Sequence, residues 1–178
     1  TNIMSYYNLT IKAFVKLGEF LRTFCEFITS DNYSENINDE WNGLFKAEIE
    51  MAQHYNGWFS EENCIHAFQE WGNLLKKENL ENWLKNYDLT KNKEKVVALI
   101  MAGNIPLVGF HDLLCVLVTG NKALVKLSSN DQKLIPLIIN YLKDIEPYFE
   151  ERVIFTKEKL EHYDAVIATG SNNTARYF

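Results

Sequence analysis

The sequence predicts an α/β fold, a parallel sheet with helical crossovers preceded by a helical segment, and three observations carry that prediction. The texture of the chain changes near residue 93. Residues 1–95 hold all four tryptophans and a net charge of −5, whereas residues 96–178 carry a net −1 and are rich in β-branched runs. Beyond Lys95, short apolar runs of strand length alternate with helix-length segments, and such alternation builds a parallel sheet. Finally, 178 residues with 47% apolar and 24% charged content are enough for an ordinary core and exclude wholesale disorder. Two parts are expected: a helical segment over 1–93 packing on the sheet domain, and the α/β unit over 94–178.

The helical part reads in order. Ile11, Phe14, Val15, Leu21, Phe24, Cys25 and Ile28 recur at helical spacing and mark one face of a long amphipathic helix. Ser30–Asn36 is a polar break. A second helix fits Asp39–Tyr55, with Trp41, Leu44, Phe45, Ile49 and Ala52 inward and Gly57 after its end. Ser60 is a good N-cap for a third, whose Glu61 and Glu62 complement the helix dipole. Its stripe is Cys64, Ile65, Phe68, Trp71, Leu74 and Leu75. A shorter helix is expected over Leu80–Tyr87.

The period then changes. Val96–Ala102 is a continuous apolar run ending at Gly103, the pattern of a strand buried on both faces. Pro106 stands where a helix would begin, and Leu107–Thr119 is apolar nearly all round and closed by Gly120. Lys122–Leu127 reads as a second strand. The cap cluster Ser128-Ser129-Asn130-Asp131 leads into a helix running to Ile145, before Pro147. Arg152–Phe155 is a short strand, Lys157–His162 a helical turn and Ala165–Ala168 another strand, with a last helix opening at Gly170-Ser171-Asn172-Asn173.

Composition narrows the function classes. A net charge of −6 argues against a nucleic-acid-coating or membrane-surface protein. No apolar run approaches the roughly 18 residues of a membrane-spanning helix. Cys25, Cys64 and Cys115 form no CxxC and have no histidine at ligand spacing, so neither a disulfide framework nor a metal site is expected. The first residues lack a signal pattern, and a cytoplasmic setting is expected. A first residue other than Met suggests that these are not the ends of the gene.

In parallel sheets ligands bind beyond the carboxyl ends of the strands. Three strand ends should therefore bring polar residues together: Gly103-Asn104, Lys126-Leu127-Ser128-Ser129 and Thr169-Gly170-Ser171. Lys126 ends a strand whose interior should not tolerate an ammonium, so it either reaches a ligand crevice or snorkels from an edge strand. Ser171 opens a helix and either caps it or, with Thr169 and Gly170, offers N–H groups to an anion. Asn104 either donates to a developing oxyanion or suits a turn. His111 and Asp112 read as a polar spot on a buried helix, with an acid–base pair as the alternative. None of the three cysteines reads as a nucleophile: Cys115 lies among leucines and valines, where a thiol is buried and inert. No GxGxxG or GxxxxGK[ST] motif is present.

Ala102-Gly103-Asn104-Ile105-Pro106, Gly120-Asn121-Lys122-Ala123-Leu124-Val125-Lys126-Leu127-Ser128-Ser129 and Ala168-Thr169-Gly170-Ser171 resemble three successive signatures of the aldehyde dehydrogenase superfamily. The closer resemblance is to its LuxC-like acyl-CoA reductase branch, over essentially the whole chain and most strongly over 96–178. The segment between the second and third signatures is short and lacks a Gly-rich turn. The resemblance implies a Rossmann-like NAD(P)-binding unit, with Asn104 stabilising the oxyanion of the thiohemiacetal-type intermediate and Lys126 on the adenosine ribose. It places Ser128, Ser129, Thr169, Gly170 and Ser171 around the cofactor. Ser129 stands where the family often has the Glu that grips the ribose 2′-hydroxyl and repels a 2′-phosphate, so NADPH is expected over NADH. Leu127 replaces the usual Pro.

The resemblance further implies reduction of a fatty acyl-CoA to an aldehyde through an acyl-cysteine intermediate. That cysteine lies beyond the T-G-S motif in the family, so the chain is expected to be the cofactor-binding portion of a longer enzyme and inactive alone. Acyl-CoA and NADP(H) are the expected partners, with a homo-oligomer allowed. A non-catalytic α/β nucleotide-binding or partner-docking module is the rival reading. An unrelated nucleotide-binding enzyme such as a methyltransferase is disfavoured by the missing Gly-rich first loop.

Overall fold

The computed structural model describes residues 3–30 and 39–170. The chain divides into two compact units, one of residues 11–86 and one of residues 1–10 with 87–178. The first limit falls inside the opening helix, whereas composition changes at about residue 93.

The 11–86 unit is helical. Helix α1 (Ile3–Thr29) supplies it with Phe14, Leu17, Leu21 and Phe24, all fully buried. Helix α2 (Glu40–Tyr55) starts at Asp39, whose side chain accepts from the Trp41 N–H, and it buries Phe45, Ile49 and Ala52. Ser60 caps α3 (Glu61–Leu74) by accepting from the Asn63 N–H. Rings of Phe24, Phe45 and Phe68 meet with centroids 5.6–6.0 Å apart. Fully burying each such side chain is worth roughly 1.5–3 kcal/mol. Helices α1 and α3 approach closely at two glycines, where a Cβ on Gly18 would lie 2.8 Å from Leu75 Cβ and one on Gly72 2.8 Å from Arg22 Cγ. Arg22 donates to the Gly72 carbonyl at this crossing.

Three expectations for this unit need correction. Leu44 and Leu74, read as inward, are 43% and 53% exposed, because the buried stripes settle one residue away on Phe45 and Leu75. The fourth helix, α4, spans Lys77–Leu84 and not Leu80–Tyr87. The Lys76 carbonyl already accepts from Leu80, and the buried pair Leu80 and Leu84 sets the inward face. The polar break after Ser30 lies almost wholly outside the described residues.

The sheet unit is α/β, with four parallel strands in the order β3-β2-β1-β4: β1 (Val96–Ile100), β2 (Lys122–Lys126), β3 (Val153–Phe155) and β4 (Ala165–Ala168). Val97, Ala98 and Leu99 are buried, as the continuous apolar run predicts for a strand covered on both faces. Helix α5 (Phe110–Val118) crosses from β1 to β2 and α6 (Leu134–Ile145) from β2 to β3. The chain then passes to the far side of β1 to lay down β4, so strand order reverses between β1 and β4. Gly120, at φ +78°, ends α5: its N–H reaches the Leu117 carbonyl and the Asn121 N–H that of Val116. That paired bonding is a Schellman stop, which needs the left-handed residue.

Two local expectations fail here for a shared reason, a residue in the left-handed region. Pro106 does not open a helix, because Leu107 takes φ +61° to bury its side chain at 1% exposure, and α5 begins only at Phe110. Residues 157–162 form bends and no helical turn. Thr156 Oγ1 accepts from the Glu158 N–H, the Glu158 carbonyl is taken by Lys126, and His162 adopts φ +59°. The final helix expected from Gly170 lies outside the described residues.

Candidate functional site

The two ends of the sheet differ in chemistry. At the amino end, Glu94 pairs with Arg152 and with Lys122 at 3.3 Å. The Arg152 guanidinium lies 4.3 Å from the centre of the Tyr148 ring, itself stacked on Tyr6 at 4.8 Å. Partial burial pulls the Glu94 carboxyl upward, but the bonds and charges of Arg152 and Lys122 outweigh it and hold the group below its ordinary value. A cleft of about 360 Å³ opens here. Arg152, half-buried in its wall, is already paired with Glu94.

The carboxyl end gathers the residues singled out in the sequence. Register places Ile100 beside both Lys126 and Ala168, so the segments after β1, β2 and β4 leave the sheet at one level. Asn104 is exposed in the bend after β1, and its side-chain amide has no partner among the described residues. Gly103 precedes it at a close approach, since a Cβ there would lie 2.7 Å from Ser128 Oγ and 3.1 Å from the Asp131 nitrogen. This glycine, placed at the strand end by the sequence, packs the β1 loop against the β2 loop, a role the sequence did not disclose.

Lys126 does not snorkel from an edge, because β2 runs between β1 and β3. Its Nζ donates to the Glu158 carbonyl at 3.4 Å. Lys126 and Ser129 line one cleft of about 540 Å³ with Phe155 and Thr156 at the end of β3. Ser128 is turned elsewhere: its Oγ accepts from the Asn130 N–H at 3.2 Å, against Gly103. Asp131, 4% exposed, accepts from the N–H groups of Lys133 and Leu134 and so starts α6.

Thr169 continues the ladder through its N–H to the Ile100 carbonyl at 2.9 Å, and its hydroxyl donates to Asp112 Oδ2 at 2.6 Å. Asp112 thereby ties the end of β4 to α5, a role its place in the sequence did not disclose. Its other oxygen lies 3.9 Å from His111 Nδ1. Gly170 is exposed, and Ser171 lies outside the described residues. The polar edge thus divides in two: Asn104, Thr169 and Gly170 at the β1–β4 reversal, and Lys126 with Ser129 at the ends of β2 and β3.

The cysteines offer no activated thiol. Burial, then the Glu26 charge, pushes Cys25 up to about 11. Cys64 is fully buried. Cys115, expected to be buried, is only half-buried, because it lies on the His111 side of α5 with Sγ 3.8 Å from His111 Nδ1. Its thiol is nonetheless raised by burial and by Asp112, the opposite of what a nucleophile needs. Among the described residues no helix is long and apolar enough to cross a membrane.

The carboxyl edge of the sheet thus carries the Lys126 ammonium, the Ser129 and Thr169 hydroxyls and the Asn104 side-chain amide beside apolar strand ends. No match was found among curated proteins. The family model for acyl-CoA reductase (LuxC) matches residues 16–178, nearly the whole chain. The chain belongs to the acyl-CoA reductase (LuxC) family.

Proposed function

We propose that this chain carries the nucleotide-holding part of an NADPH-dependent acyl-CoA reductase that forms an aldehyde by way of an acyl-cysteine. The family implies acyl-CoA reduction. The observation that carries the cofactor reading is the place of Lys126, at the carboxyl end of an interior strand with its ammonium on a main-chain carbonyl. Lys126 would hold the adenosine ribose, and the neutral Ser129 beside it leaves room for a 2′-phosphate. Thr169, Gly170 and Ser171 would flank the pyrophosphate, and Asn104 would donate to the oxyanion of the thioester carbon. Bound NADPH would supply a hydride. The environments of Cys25, Cys64 and Cys115 support a nucleophile that is none of these three.

Titration of the chain with NADPH and NADH, followed by nicotinamide fluorescence, tests this. NADPH is expected to bind more tightly than NADH, and Lys126→Ala to weaken both by about tenfold, the loss of one charge-assisted contact. Tighter NADH binding would sink the argument from Ser129. Absence of binding by folded protein would sink the cofactor reading.

A further inference from the structure

We propose that Asp112 is a positioning residue for the nucleotide site. By taking the hydrogen of the Thr169 hydroxyl it fixes the end of β4 and leaves that oxygen facing the ligand only as an acceptor. The proposal rests on the nucleotide reading above and changes what one of its residues does.

The support comes from how little else holds this strand. Every residue from 161 to 168 is exposed, and so is Gly170, whereas Thr169 between them is half-buried. Among the described residues β4 pairs with β1 alone. Its start is fastened by the Asp164 carboxylate, which accepts from the Val96 N–H at 2.8 Å. Its end is fastened by the Thr169 N–H on the Ile100 carbonyl and by the Thr169 hydroxyl on Asp112 Oδ2 at 2.6 Å. Asp112 can serve as an anchor because α5 is held in the core by Phe110, Leu113, Leu114 and Leu117, each at most 3% exposed. Its carboxylate lies in the first turn of α5, where the positive end of the helix favours a negative charge and Gly109 supplies no side-chain cap.

A threonine hydroxyl has one hydrogen and two acceptor lone pairs. With the hydrogen committed to a carboxylate, in a charge-assisted bond roughly twice as strong as a neutral one, the hydroxyl has nothing to donate to a ligand. The ligand group that meets Thr169 Oγ1 is therefore an amide or hydroxyl donor, and phosphate oxygens are left to main-chain N–H groups. The Asp112 charge behind the hydroxyl acts in the same sense, since it disfavours an anion at that oxygen. Branching at Cβ means that the bond at Oγ1 also holds the rotamer, so loss of Asp112 would free both the hydrogen and the side chain.

Titration of the full chain with NADPH, followed by nicotinamide fluorescence, is to be compared across Asp112→Ala, Asp112→Asn, Thr169→Val and the Asp112→Ala/Thr169→Val pair. Asp112→Ala is expected to weaken binding about five- to tenfold, the effect of one lost bond. Asp112→Asn, whose amide oxygen accepts the same hydrogen, should bind at least as tightly as wild type. Thr169→Val should match Asp112→Ala, and the double variant should be no weaker than either, because the two residues act through one bond. Circular dichroism checks that each variant is folded. Losses that add in the double variant overturn the positioning role and leave the nucleotide reading intact. So does an Asp112→Asn protein as weak as Asp112→Ala, or an Asp112→Ala protein with wild-type affinity. Failure of folded wild type to bind NADPH overturns both.

Discussion

Glu94 shows how one side chain can organise an end of the sheet. It accepts from Arg152 and Lys122, and its carboxyl is held below the ordinary 4.5 even though partial burial pulls the other way. A carboxyl lowered on folding contributes stability that is fully present above its unfolded value and is lost as pH falls through its folded one. Glu94→Gln should therefore destabilise the protein at neutral pH. Because the side chain is 46% exposed, solvent screening limits the charge contribution to about 1 kcal/mol or less. The gap from wild type should narrow below about pH 4.5 and close in stronger acid, as urea titrations across that range would show. A gap that stays constant with pH would assign Glu94 no electrostatic role. Lys126 differs in kind, since its partner is a main-chain carbonyl and it lines a cleft together with Ser129.

Helix packing is set as much by what is missing as by what is present. The crossing of α1 and α3 depends on Gly18 and Gly72, where a single added carbon would come within 2.8 Å of a neighbouring side chain. Gly72→Val should cost about 1–3 kcal/mol through overpacking. All four tryptophans lie within residues 11–86, so tryptophan fluorescence during denaturant unfolding reads this unit directly. An unchanged midpoint would show that the crossing tolerates a side chain. At α5, the apolar pattern ran on from Leu107, but the left-handed backbone of that residue delays the helix to Phe110. Hydrophobic periodicity reports which residues are buried, not the backbone conformation that buries them.

Across the molecule, charge is distributed unevenly in a way that composition conceals. A chain of net charge −6 gathers three lysines and no acid at one cleft of the sheet unit. If a nucleotide binds there, it stabilises the folded state by mass action, about 2.7 kcal/mol at a hundred times its Kd. Saturating NADPH should therefore raise the melting temperature followed by far-ultraviolet circular dichroism, and the rise should be smaller with NADH at the same concentration. Equal rises would argue against recognition of the 2′-phosphate.

By itself the sequence determined the type of most elements, the alternation of strands and helices, and which strand ends carry polar residues, because period and capping are local properties of the chain. Ser60 and Gly120 act as the chain reads, one starting a helix and the other stopping one. Only the tertiary structure decided which strand is central. Val96–Ile100 and Ala165–Ala168 are similarly apolar, yet Leu99 is 1% exposed in β1 and Ile167 39% exposed in β4, an edge strand of this sheet. The tertiary structure also turned Ser128 toward Gly103, joined Thr169 to Asp112 across 57 positions, and brought Lys133 and Lys157 beside Lys126. These juxtapositions arise from the order in which strands pair, and strand order depends on contacts between distant segments that no local pattern encodes.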